Sequence, residues 1–189
     1  MVKDLVSRNR SYRRFYEDVA ITKETLLELI ELARLSSSAA NKQPLKYFVS
    51  VGEKNDAIFD SLGWAGHLAD WHGPEKGERP AGYIVVLLDR NISAGADIDA
   101  GIACQSILLG AVEKGLGGCM FGNVSRAKLK DELDLPTNLD ILLVVALGKP
   151  KEAIVITPLG ESGDTKYWRD ENNVHYVPKR SLDEIHCIL

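Results

Sequence analysis

The stretch DIDAGIACQSILLGAVEKG, residues 97–115, most narrows what this chain can fold into. It has helical length and is apolar on most sides, not along one stripe, so it needs neighbours nearly all round. Its small residues, Ala100, Gly101, Ala103, Ser106, Gly110 and Ala111, let another helix come close, and Gly115 offers a left-handed C-cap. Two strand-length apolar runs accompany it, GYIVVLLD (82–89) and DILLVVALG (140–148). Neither alternates with polar residues, so each needs cover on both faces. Together they predict a small mixed sheet surrounded by helices, an α+β fold. With 189 residues, 45% of them hydrophobic, the chain suffices for one core and one domain, residues 1–189. Such a domain would strain to enclose the helix completely. Either the helix is central within one monomer, or a second subunit covers part of it.

The rest of the chain falls into place around that core. Residues 2–9 predict a short helix. TKETLLELIELARL (22–35) predicts an amphipathic helix capped by Thr22, with Glu24 in its first turn. SSSAANKQP (36–44) reads as a loop, 46–52 as a strand and 54–61 as a short helix. GWAGHLADWHGPEKGERP (63–80) mixes Gly, Pro, charge and two tryptophans, and reads as an irregular, mobile, lid-like excursion. LGGCMFG (116–122) predicts a short strand and 125–135 a helix capped by Ser125. Past Pro150 the composition turns polar. The final arm, 170–189, holds a strand at 173–177 and a short helix from Ser181.

Bulk charge excludes some functions. The formal net charge is −4, which argues against nucleic acid as a partner. Cys104, Cys119 and Cys187 are far apart with no CxxC, so neither a disulfide framework nor a zinc site is expected, and a reducing cytoplasm is the natural compartment. The N-terminus lacks a signal-type apolar region, and no run reaches the ~20 residues of a membrane span. Against this background RNRSYRRF (8–15) stands out, with four arginines in seven residues. Arginine forks match phosphate oxygens, and Ser11 adds a hydroxyl. The alternatives are a solvated basic stretch and one jaw of a phosphate clamp, whose other jaw would be Lys179-Arg180 if the chain ends meet. Arg14 reads as a solvated neighbour.

Other motifs are more telling in what they exclude. Asn41 offers a donor and an acceptor together, suited either to an imide edge or to its own loop backbone. GLGGCMFG fails as a nucleotide loop because Met120 stands where glycine is required, and its glycines read as permitting close approach of a flat ligand. His67, His72, His175 and His186 lack metal spacing, and there is no GxSxG elbow. Cys104 reads as a core residue. With no side-chain catalytic machinery visible, a cofactor is expected to carry any chemistry.

Four blocks, NRSYRRF (9–15), SSSAANKQPLKYFV (36–49), DAGIACQSILLGAVEKGLGGCMFG (99–122) and VPKRSLDEI (177–185), resemble in order those of the FMN-dependent nitroreductases. The resemblance implies a homodimeric α+β flavoprotein with FMN at the subunit interface. It also implies an activity: hydride from NAD(P)H, then electrons to a nitroaromatic, quinone or related small-molecule acceptor by a ping-pong mechanism. The alternatives are a non-catalytic FMN-binding or sensing protein, and a specialised dehydrogenase, dehalogenase or flavin-fragmenting relative. By the same resemblance Arg10, Ser11 and Arg13 hold the FMN phosphate and reach the pyrimidine, and Lys179 and Arg180 grip the phosphate. Asn41 bonds the flavin ring beside Ser37 and Ser38, Met120 packs near it, and Gly122 and Asn123 present a backbone N–H. Asn9 stands where many relatives have a basic residue, which leaves Arg8 as a possible substitute. Trp64, His67, Trp71 and His72 occupy the segment where relatives cover substrate.

Overall fold

In the computed structural model, which describes residues 1–68 and 71–188, the elements follow in chain order. They are α1 (Val2–Arg8), β1 (Phe15–Tyr16), α2 (Lys23–Arg34), a 3₁₀ turn (Ala39–Asn41), β2 (Leu45–Ser50), α3 (Asn55–Phe59), β3 (Gly82–Asp89) and α4 (Asp97–Glu113). Then come β4 (Gly117–Phe121), α5 (Arg126–Glu132), β5 (Leu139–Pro150), β6 (Ile154–Pro158), β7 (Trp168–Arg169), β8 (His175–Lys179) and α6 (Leu182–Ile185).

The main sheet runs β1-β5-β3-β2, with β4 also paired to β5. Every pairing in it is antiparallel. The strands are nonetheless continuously apolar, because both faces are covered. Ile84 and Val86 of β3 pack with Val145 and Leu147 under α2 and α4. The intervening Tyr83, Val85 and Leu87 pack with Val144, Ala146 and Phe121 against α3 and α5, through Ile58 and Leu129. The two-residue alternation of a strand thus serves two cores at once.

Mixed pairing occurs in a second, three-stranded sheet, where β6 runs parallel to β8 and β7 antiparallel to it. β6 and β7 have no counterpart in the sequence reading.

Helix α4 shows why its residues are small. A Cβ at Gly110 would lie 2.2 Å from Leu32 Cδ1 and 3.0 Å from Leu29 Cδ2, so α2 packs into the space a side chain would fill. Gly115, at φ +71°, ends the helix as expected. Thr22 caps α2, its Oγ1 accepting from Thr25 N–H at 3.1 Å. Ser125 does not cap α5 with its side chain. The enclosure of α4 is incomplete: Ile98 and Ile102 are 75% and 37% exposed, and Gly101 borders open space. No helix among the described residues is long and apolar enough to cross a membrane.

Candidate functional site

The two ends of the chain meet. Ser11 pairs with Gly118 on the outer side of β4, and Tyr12 N–H donates to Gly118 O at 3.0 Å. This strand-like pairing sets the arginine block beside α4 and the second sheet. On β8, alternation brings His175, Val177 and Lys179 to the same side, and they close a cavity of about 280 Å³ with Arg10, Ser11, Arg13, Gln105, Met120 and Tyr167.

The cavity is rich in donors. Arg10 uses Nη2 on Val6 O (2.8 Å) and Arg13 uses Nη1 on Ser11 O (3.2 Å), and the Nε of each is buried with no partner among the described residues. Arg10, Arg13 and Lys179 make the lining cationic, and Ser11 adds a hydroxyl. An anion with several oxygens fits that donor set.

Behind the arginines lies Glu152, its side chain fully buried. It accepts from Arg13 N–H and from Arg169 Nη2 (3.0 Å), and His175 Nδ1 stands 3.7 Å away. Burial pushes its carboxyl upward, but His175, the Arg13 N–H and the Arg169 charge together outweigh burial and hold it below the usual range. Tyr167 joins the parts: its ring lies 4.9 Å from the Arg13 guanidinium, 5.1 Å from His175 and 5.0 Å from His67.

Other anticipated residues lie elsewhere. Arg8 ends α1 in an ion pair with Asp4 (3.0 Å) and does not line the cavity, so it does not stand in for Asn9. Asn9 itself lines the cavity and donates to Gln105 Oε1 at 3.3 Å. Arg180 turns toward Glu184 (3.5 Å), outside the cavity wall that Lys179 joins. Arg14 is no solvated neighbour. It grips Glu78 with two bonds of 2.5 and 2.6 Å, and Lys151 joins at 2.9 Å. The Arg14 bond, opposed by burial and aided by Lys151, lowers the Glu78 carboxyl to about 2.

The loop 36–44 faces a different space. Ser37 and Ser38 line an apolar groove of about 530 Å³ between α2, β2 and α4. Ser38 Oγ donates to Asp99 Oδ2 (2.7 Å) and Ala39 N–H to Asp99 Oδ1 (2.9 Å). Ala40, Asn41 and Gln43 hold left-handed φ of 49°, 53° and 52°, unusual without glycine. Asn41 Oδ1 accepts from Gln43 Nε2 at 3.1 Å. Within one chain, neither this loop nor Asn41 reaches the cationic cavity.

The glycines after α4 correct another expectation. A Cβ at Gly117 would strike Tyr12 (2.5 Å) and one at Gly118 would strike Ala146 O (2.4 Å), so they admit the chain's own atoms and not a flat ligand. Gly122 and Asn123 are exposed at the end of β4, where Gly122 O accepts from Arg126 and Asn123 O from Gly63 N–H. Met120 is 40% exposed at the cavity.

In the excursion, residues 69 and 70 lie outside the described residues, and the rest forms neither helix nor strand. Trp64 is a core residue, packed against Phe59, Phe121 and Trp71, and this corrects its reading as a substrate contact. Trp71 is half-buried under the Arg169 guanidinium (4.3 Å). His67 and His72 are exposed. The far end of the segment is fastened by Glu78 and by Glu17, which accepts from Gly77 and Arg79 N–H.

Comparison with known proteins places this arrangement. Residues 6–149 match the Nitroreductase family. The chain belongs to that family. Among its relatives is a 4-nitrobenzoate reductase from Nocardioides sp. (strain LMS-CY), 26% identical, the match covering 77% of this chain and 79% of that one. An NADPH-flavin oxidoreductase from Vibrio harveyi is also 26% identical, over 82% and 68% of the two chains. Of solved structures, a nitroreductase-type protein from Desulfovibrio desulfuricans in complex with FMN superposes with a TM-score of 0.65 at 26% identity, covering 79% and 86%. The nitroreductase fold is therefore the fold of this chain.

Sequence reasoning missed Glu152, Tyr167 and His175. Only His175 left a signal, its two-residue spacing from Val177 and Lys179 on a strand. Glu152 and Tyr167 sit in polar stretches where nothing local marks them.

Proposed function

We propose that this protein works as a homodimer, taking reducing equivalents from NAD(P)H and delivering them to a nitroaromatic, quinone or related acceptor that enters the same slot in turn. At the level of its family it is a flavin-dependent NAD(P)H oxidoreductase with FMN as its bound group. We take residues 1–189 as one FMN-binding unit and the cytoplasm as its compartment. FMN, when bound, accepts and releases hydride at its ring. Everything else falls to the chain.

The observation that carries the reading is the cationic cavity. Lys179, Arg10 and Ser11 would hold the phosphate. Arg180 would have to leave Glu184 to join them. Arg13 would reach the pyrimidine, where positive charge favours the electron-rich reduced state. Met120 would pack beside the ring, and the Gly122–Asn123 turn would present a backbone N–H.

Ser37, Ser38 and Asn41 do not reach this cavity in their own chain, so the partner subunit would supply them. The bare stripe of α4 supports that arrangement. Ile98 and Ile102 are exposed along a face that continues to Gln105 at the cavity wall. The nitroaromatic acceptor is favoured by relatives named 4-nitrobenzoate reductase.

The test is an anaerobic titration of the FMN-loaded protein with NADH and with NADPH. At least one should bleach the yellow colour, and 4-nitrobenzoate or menadione should restore it. A protein that takes up no FMN sinks the reading. One that takes it up but is not bleached by either nucleotide is a flavin-binding module and no reductase.

A further inference from the structure

The four arginines of the N-terminal block are held in two different ways. Arg8 pairs with Asp4 at 3.0 Å and Arg14 with Glu78 at 2.5 Å. Arg10 and Arg13, the two that line the cavity, have no carboxylate partner among the described residues. Glu152, buried behind them, is turned to other uses: it accepts from the Arg13 backbone N–H and from Arg169 Nη2.

The Arg13 side chain is held all the same. Its guanidinium lies over the ring of Tyr167, 4.9 Å from the centroid, within the range of a cation–π contact. The single hydrogen bond to Ser11 O adds to that hold. Tyr167 is half-buried and is itself wedged between two histidines. His175 of β8 packs on its ring at 5.1 Å and His67 at 5.0 Å, and the His67 backbone N–H donates to the Tyr167 hydroxyl at 3.4 Å.

A carboxylate and an aromatic face both steady an arginine, with different electrical results. A carboxylate cancels the charge and occupies the fork of N–H donors. A ring orients the guanidinium plane but leaves its charge and its outer N–H groups for another partner. Only the second suits an arginine that must present charge to a ligand. Resting on the reading of the cavity as the FMN site with Arg13 at the pyrimidine, we infer that Tyr167 is a positioning residue acting through Arg13. Its ring fixes the guanidinium at the cavity wall without neutralising it, so that full positive charge meets the flavin and favours its reduced state.

A double-mutant cycle tests this. Tyr167→Leu, Tyr167→Phe, Arg13→Ala and the Arg13→Ala/Tyr167→Leu pair are prepared as apoproteins, compared by thermal melting and reloaded with FMN. Affinity is read by fluorescence quenching and the midpoint potential of bound FMN by reductive titration against a dye. Tyr167→Leu should weaken FMN by about threefold to tenfold and move the potential to more negative values. Tyr167→Phe keeps the ring and should stay within about twofold of wild type. With Arg13 already replaced by alanine, Tyr167→Leu should add nothing, because the contact it removes is gone. If the Leu variant melts too early to load, Tyr167→Met, which fills the space without an aromatic face, takes its place in the cycle. The same loss with Arg13 absent would mean that the ring serves the flavin directly, and would overturn the inference. So would a Phe variant as weak as Leu, a loss of affinity with unchanged potential, or wild-type behaviour of the Leu variant. Wild-type protein that takes up no FMN would refute the FMN reading itself, a distinguishable outcome.

Discussion

The two sheets are built on opposite plans. In the five-stranded sheet, seven of the eight β3 residues are buried and both faces are apolar. The three-stranded sheet leaves Val155, Ile156 and Trp168 between 41% and 46% exposed and turns its buried side to Glu152, Arg169 and His175. The first is held by desolvated hydrocarbon and reaches the cavity through Met120 of β4. The second closes a cationic cavity, so an anionic ligand bound there stabilises the fold by linkage. Stability and binding are thus divided between two sheets, joined where β5 runs on toward Glu152.

The sharpest way to break that division is a pair of truncations. Leu147→Ala should cost about 2–5 kcal/mol in urea unfolding, because Leu147 is fully buried beneath α4. Val155→Ala, 41% exposed on β6, should cost no more than about 0.5 kcal/mol. Equal costs would mean that the small sheet is as much a core as the large one.

Next in size is Arg13→Ala. It should weaken FMN by roughly tenfold to a hundredfold, as expected for a charge-assisted contact, with little change in the melting of the apoprotein. Unchanged FMN affinity would remove Arg13 from the binding plan.

The acid response of Glu78 sharpens the boundary between the two plans, since Glu78 ties the excursion to Arg14 and Lys151. Its carboxyl is lowered from 4.5 to about 2. The stabilisation it provides is therefore complete above about pH 4.5 and disappears as pH falls through about 2. Glu78→Gln should lack that component, so the urea midpoints of wild type and variant should converge on acidification. Parallel midpoints throughout would show that the Arg14 pair contributes nothing. The smallest effect is expected at Thr22→Ala, about 1 kcal/mol from a lost cap on the apolar side of the fold.

Most of the large sheet was legible because its determinants are local: helical periodicity over 22–35, unbroken apolar runs at 82–89 and 140–148, and glycine after α4. What escaped depended on tertiary partners. β6 and β7 are short and half-exposed, with no pattern a loop would lack. Arg14 and Arg8 have the same side chain in the same cluster; they differ because Glu78 reaches one and Asp4 the other. Trp64 looked like a lid residue until Phe59 and Phe121 closed around it. At the site, Arg10, Ser11, Arg13, Met120 and Lys179 gather in one cavity, while Ser37, Ser38 and Asn41 lie outside it.

The loop at 36–44 has one more implication. Its left-handed turn is fastened by Asp99, a residue sixty positions further along the chain from Ala39. The shape is therefore not portable. A peptide of this segment has no reason to keep it, and a scaffold meant to receive it must bring its own buried carboxylate at the start of a helix. What looks like a local motif is a joint between two distant parts of the chain.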